Sequence, residues 1–124
     1  MSKIYNLAFI LLIITNTVWA SDGNETQVEI SNRKDTILSD PESIVEGEKK
    51  FSSLCAYCHG SKGSGGKAKK LQGREFDPDY LFTTITNGIK RGSTNMPPWN
   101  RLSGETRWKL VAYILSLGKN NGDN

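Results

Sequence analysis

With 124 residues and a formal net charge of +3, the chain is sized for one domain and is too weakly basic, and too free of recognition motifs, for a nucleic-acid binder. The charge is polarised: residues 21–48 hold eight acids against Arg33 and Lys34, whereas residues 49–124 hold thirteen Lys and Arg against five acids. Two cysteines and a single histidine are too few for a zinc site made of Cys and His alone.

The first twenty residues read as a signal peptide. Lys3 is the basic end, Leu7 to Ile14 the apolar run and Val18-Trp19-Ala20 the cleavage-setting segment, with cleavage expected after Ala20. The run is shorter than the roughly 20 residues a spanning helix needs, so no stable membrane insertion is expected. Residues 21–40 are polar and lack helical or alternating periodicity. They are expected to form a flexible leader, either a disordered tail or a tether or docking arm.

A helix is expected to start at Asp40, whose side chain can cap it while Pro41 takes the first helical position, where a missing N–H costs nothing. Glu42, Glu46 and Glu48 then suit the positive end of its dipole. Gly47, Phe51 and Cys55 recur every four residues and so share one face, which leads into Cys55-Ala56-Tyr57-Cys58-His59. A C-x-x-C-H run is the attachment pattern of a c-type haem: two thiols add across the porphyrin vinyl groups, and the next imidazole becomes an axial iron ligand. A thioredoxin-like pair would need a βαβ context that the flanking sequence lacks, and a simple Cys55–Cys58 disulfide leaves His59 without a purpose.

Beyond His59 the glycine-rich stretch Gly60 to Gly66 predicts a loop. From Lys62 to Arg74 five cations (Lys62, Lys67, Lys69, Lys70 and Arg74) stand without an acid, as a solvated loop or as a docking rim for an acidic partner. Asp77-Pro78 repeats the cap signal, and Tyr80, Leu81, Phe82 and Ile85 predict the apolar side of a helix that Asn87-Gly88 stops. Ile89 to Trp99 carries two prolines and is expected as a non-helical connection. Ser103 is expected to cap a last helix ending at Leu117-Gly118, with Leu110, Tyr113, Ile114 and Leu117 as its buried stripe, before a polar tail over residues 119–124. The folded domain, residues 41–118, has about 80 residues, a length at which a core alone is marginal and a covalently held haem would complete it.

Met96 is the only thioether left once Met1 goes with the signal peptide, and there is no second histidine. It is therefore the candidate for the sixth iron position; otherwise it fills a gap in the core.

Gly47-x-x-x-Phe51-x-x-x-Cys55-x-x-Cys58-His59, then Met96-Pro97, then Leu110-x-x-Tyr113 in the terminal helix, resembles the class I cytochromes c over roughly residues 41–118. The resemblance implies an all-α cytochrome c fold, three to four helices packed around one covalently attached haem c. Cys55 and Cys58 would be its thioether anchors, with His59 and Met96 as the axial ligands of the iron. It also implies that Gly47 crosses the terminal helix at Tyr113. Many members carry a proline just before the leucine matching Leu71, whose carbonyl accepts the ligating histidine's N–H; here Lys69 stands near that place. Arg74 and Trp99 resemble residues that approach the haem propionates in some relatives.

As function, the resemblance implies a periplasmic carrier of single electrons, not an enzyme. Its partners would be redox proteins: a periplasmic dehydrogenase, a membrane oxidoreductase or a terminal oxidase. A monomer is expected. The alternatives are a cytochrome subunit or dedicated electron acceptor of a periplasmic dehydrogenase, and, should Met96 not be bound, an open-site haem peroxidase or gas-binding protein.

Overall fold

The computed structural model of the protein describes residues 27–119, so the expected signal peptide over residues 1–20 and most of the polar tail lie outside the described residues. In chain order come α1 (Gln27–Ser39), α2 (Pro41–Leu54), α3 (Ala56–His59), a 3₁₀ turn at Ser61–Gly63, α4 (Pro78–Asn87), strands β1 (Ile89–Arg91) and β2 (Thr94–Met96), and α5 (Gly104–Lys119). No helix among the described residues is long and apolar enough to cross a membrane.

The helices start where the sequence marks them. The Asp40 carboxylate accepts the Ser43 N–H at 2.8 Å and the Ser43 hydroxyl at 2.7 Å, and Asp77 accepts the Tyr80 N–H at 2.7 Å, each with a proline at the first helical position. Ser103 does the same for α5, accepting the Thr106 N–H at 3.1 Å. These bonds satisfy donors that the first turn of a helix leaves without partners. Hydrogen bonds from the Ser43 hydroxyl and then the Ser43 N–H hold the Asp40 carboxyl below its usual 3.8.

Helices α2 and α5 form the centre of the fold. At Gly47 their backbones come so close that a side-chain carbon would strike the Lys109 carbonyl and stand 2.9 Å from the Tyr113 Cβ. One turn on, Phe51 is 1 % exposed and its ring lies 5.2 Å from that of Tyr113. Leu110, Val111, Ile114 and Leu117 from α5 and Leu81 and Ile85 from α4 complete the core. Lys109 ties the crossing together at the surface, reaching Glu46 at 2.6 Å and Glu105 at 2.7 Å.

Three features depart from expectation. Among the described residues there are five α-helices against the expected three to four, partly because the chain kinks at Cys55 and starts the one-turn α3 there. The second reason is α1, which occupies much of the segment expected to be a flexible leader. Its Ile37 is buried, and Lys34 pairs with Asp79 of α4 at 2.7 Å while lying 5.1 Å above the Trp108 ring of α5. Those partners are distant in sequence, so tertiary packing rather than local periodicity makes the helix. Thirdly, Tyr80, expected on the apolar side of α4, is 58 % exposed, while Leu81 and Ile85 are buried as expected.

The connection after α4 is non-helical, as its prolines require, but it is not irregular. β1 and β2 pair antiparallel with Ile89 opposite Met96 and Arg91 opposite Thr94.

Candidate functional site

Cys55 closes α2, its N–H donating to the Phe51 carbonyl at 2.8 Å, and then opens α3. The Cys58 and His59 N–H groups both donate back to the Cys55 carbonyl, at 3.1 and 3.0 Å. The five-residue motif is thus a single tight turn set on the end of α2. Neither cysteine is in a disulfide, and both are half-buried. Burial, and secondarily the neighbouring Cys58, pushes the Cys55 thiol up to about 11. A thiol held protonated is the opposite of what a thioredoxin-type nucleophile needs.

The glycine-rich loop folds back onto this turn through its main chain. Gly65 N–H donates to the His59 carbonyl at 2.7 Å and Ala68 N–H to the Cys58 carbonyl at 2.8 Å. The Lys69 carbonyl then lies 3.3 Å from His59 Nδ1. A carbonyl only accepts, so Nδ1 carries the proton and Nε2 keeps its lone pair free for a metal. Lys69 therefore supplies the acceptor that the sequence left unassigned.

Met96 reaches the site from the other side, at the end of β2. Its placement depends on Gly88, which sits at φ +70°, where an added side chain would strike the Met96 carbonyl and stand 2.8 Å from Pro98 N. Trp99 N–H donates to the Ile85 carbonyl at 2.9 Å and pins the far end of the same segment to α4. The sequence marks Gly88 only as a helix stop; its second role, giving passage to the Met96 segment, has no local signal.

Between the two sides runs a cleft of about 240 Å³. Cys55, Cys58 and His59 of the motif line it together with Asn95, Met96, Pro97 and Trp99 of the second segment and the apolar Phe51, Leu71, Ile85, Leu110 and Ile114. No Asp, Glu, Lys or Arg lines it. A hollow of about 280 Å³ between α2 and α5 is bordered instead by Glu46, Lys49, Lys50 and Lys109, a solvated charged groove with no cysteine, histidine or methionine.

The lining suits a porphyrin better than a lone ion. Among the described residues, no three His, Cys, Asp or Glu side chains converge on one ion-sized point. The thiols, imidazole and thioether instead share one largely apolar cleft, as a large ring with a central metal requires. Of the two residues expected near the propionates, Trp99 lines the cleft. Arg74 does not: it lies 5.0 Å over the Phe76 ring.

Comparison with known proteins follows the same contour. The sequence model of the family described as cytochrome c oxidase, cbb3-type, subunit III, matches residues 42–114. The chain is 30 % identical over 95 residues to the cbb3-type cytochrome c oxidase subunit CcoP of Rubrivivax gelatinosus, covering 71 % of this chain but only 30 % of that relative. It is 28 % identical over 114 residues to cytochrome c6 of Cyanidium caldarium, covering 86 % of this chain and 91 % of the relative. Among solved structures, cytochrome CL from the marine methylotrophic bacterium Methylophaga aminisulfidivorans MPT is similar with a TM-score of 0.56 and 25 % identity, over 80 % of this chain and 71 % of that one.

Proposed function

Because the chain belongs to the family described as cytochrome c oxidase, cbb3-type, subunit III, and is a class I c-type cytochrome with covalently bound haem c, we propose that it carries single electrons between redox proteins in the periplasm. Cys55 and Cys58 would hold the haem as thioethers, and His59 and Met96 would ligate its iron. One observation carries this assignment: all four residues, from two distant stretches of sequence, line one cleft with no Asp, Glu, Lys or Arg among its described lining. Haem c supplies a reversible one-electron change at iron, and thioether ligation raises its potential.

The chain's own residues do the rest. The Lys69 carbonyl fixes the His59 tautomer and ring orientation. Leu71, Ile85, Leu110 and Ile114 exclude water from the cleft, which keeps the local dielectric low. Met96 in the sixth position leaves small ligands no point of entry, so the protein would not be an enzyme. Export by the signal peptide ending at Ala20 would deliver the chain to the compartment where such attachment takes place.

The test is Met96→Ala. The wild type is expected to show the far-red sulfur-to-iron absorption band and to bind carbon monoxide and cyanide poorly; the variant should lose the band, bind both readily and have a lower midpoint potential. A wild type that lacks the band and binds these ligands tightly would instead be an open-site haem protein. The match to an oxidase subunit of which the chain spans 30 % favours a second reading, a cytochrome subunit or dedicated acceptor within a larger redox assembly. Co-purification from the native host separates a stable complex from a free carrier.

A further inference from the structure

Tyr57 stands between the two cysteines, lines the cleft and is 79 % exposed, the largest exposure among the big hydrophobic side chains at the site. Its ring does not stand alone. The Lys67 ammonium lies 3.9 Å above the ring centroid and also hydrogen-bonds the Tyr57 hydroxyl. The backbone on either side of Lys67 is clamped, with Gly66 N–H donating to the Ala68 carbonyl at 3.1 Å and Ala68 N–H to the Cys58 carbonyl at 2.8 Å. One cation of the basic run is therefore held in place beside the cysteines. Arg74, by contrast, is turned onto Phe76 and the Lys70 carbonyl, while Lys62, Lys69 and Lys70 are exposed.

An exposed aromatic carrying a fixed cation has the character of an interface anchor. Tyr offers a large rigid contact with few rotors, and a preordered ammonium loses little entropy when it meets an anion. We propose that Tyr57 and Lys67 together form the docking anchor for a carboxylate on the contact surface of the redox partner, rather than the basic run as a whole. This rests on the electron-carrier function proposed above. The ring would pack against the partner beside the attachment motif, and Lys67 would pair with the carboxylate next to it.

Two anionic probes test this on the haem-loaded protein. Hexacyanochromate(III), paramagnetic and redox-inert, broadens the NMR signals of residues it visits. Ferricyanide takes one electron from the ferrous protein, giving ferrocyanide and the ferric protein, and reports a rate. Broadening is expected to centre on residues 57 and 66–68 and to disappear in Lys67→Gln. The ferricyanide rate should fall at least about fivefold in Lys67→Gln, the ratio for a single pair of unit charges at contact distance in water, since ferricyanide carries three negative charges. In Lys70→Gln, which removes the same net charge, it should stay within about twofold of wild type. Tyr57→Ala, which keeps the charge but frees the ammonium, should disperse the broadening. Equal rate losses in the two lysine variants, or broadening spread evenly over residues 62–74, would overturn the anchor. If the wild type does not cycle reversibly between ferric and ferrous forms, the carrier function fails, and the anchor stands or falls on the broadening alone.

Discussion

Around Gly47 two helices interlock through side chains: Phe51, Leu110 and Tyr113 are each under 5 % exposed, and Lys109 reaches across to Glu46. The segment from Gly60 to Asp77 is held differently. Main-chain bonds join it to the motif, to itself and to α5, as with Leu71 N–H to the Gly63 carbonyl at 2.8 Å and Gly73 N–H to the Leu117 carbonyl at 3.1 Å, and its one large apolar contact at the cleft is Leu71. The crossing is specified by residues that meet one another. The wall is specified by residues that meet across a space, so its stability depends on what fills that space.

The sharpest way to break the comparison is to remove the filler. Cys55→Ser combined with Cys58→Ser should prevent haem retention and abolish most of the protection of residues 60–77 in hydrogen exchange, while α2 and α5 keep the greater share of whatever remains. Uniform loss of protection in both regions would mean that the crossing is no more autonomous than the wall.

Gly47→Val attacks the other side. The new branch meets main-chain atoms of Lys109 that cannot rotate aside, so a loss of about 3 kcal/mol is expected, at the upper end for overpacking. Chemical denaturation measures this, and the haem spectrum of the folded fraction should stay that of the wild type.

Gly88→Ala probes the passage of the Met96 segment past the end of α4. Its left-handed backbone costs an alanine about 1 kcal/mol or more, and the added methyl pushes on the Met96 carbonyl. The expected result is a modest loss of stability with a weakened far-red band, and a fully retained band would show that β2 yields without moving the thioether.

The smallest effect concerns the ion pairs of the crossing. Hydrogen bonding from Lys109 holds the Glu105 carboxyl below its usual 4.5, and the Ser43 hydroxyl does the same for Asp40 relative to 3.8. A carboxyl whose folded value is depressed contributes above its ordinary value and loses that contribution as pH falls through the folded one. The Lys109 ammonium is pushed up by Glu105 and then Glu46, so its share is present below 10.5 and is lost only as pH rises through its raised value. The melting temperature should therefore be flat through neutrality and dip slightly in acid, and Glu105→Gln should flatten the acid limb. Glu46 and Glu105 are exposed, so solvent screening keeps the change small.

What could be read from the sequence was what is decided locally or at short range. Asp40-Pro41, Asp77-Pro78 and Ser103 cap helices within three residues of themselves, and the four-residue recurrence of Gly47, Phe51 and Cys55 belongs to one helix face. The hairpin was not legible, because Lys90, Arg91, Ser93, Thr94 and Asn95 carry no alternation and only its position beside Gly88 gives it shape. Nor was α1, whose hold comes from Asp79 and Trp108, both more than 40 residues away. Within the cleft the cysteines and His59 announce themselves by spacing. Asn95 and Pro97 do not, since they line it only through the fold.

Residue 69 touches His59 with its carbonyl and faces solvent with its side chain. Every amino acid, proline included, brings the same carbonyl, so substitution there can redraw the surface charge while the imidazole keeps its orientation. The surface beside the motif can in this way vary while the hydrogen bond on the imidazole stays the same. Surface charge and ligand orientation are carried by different atoms of one residue.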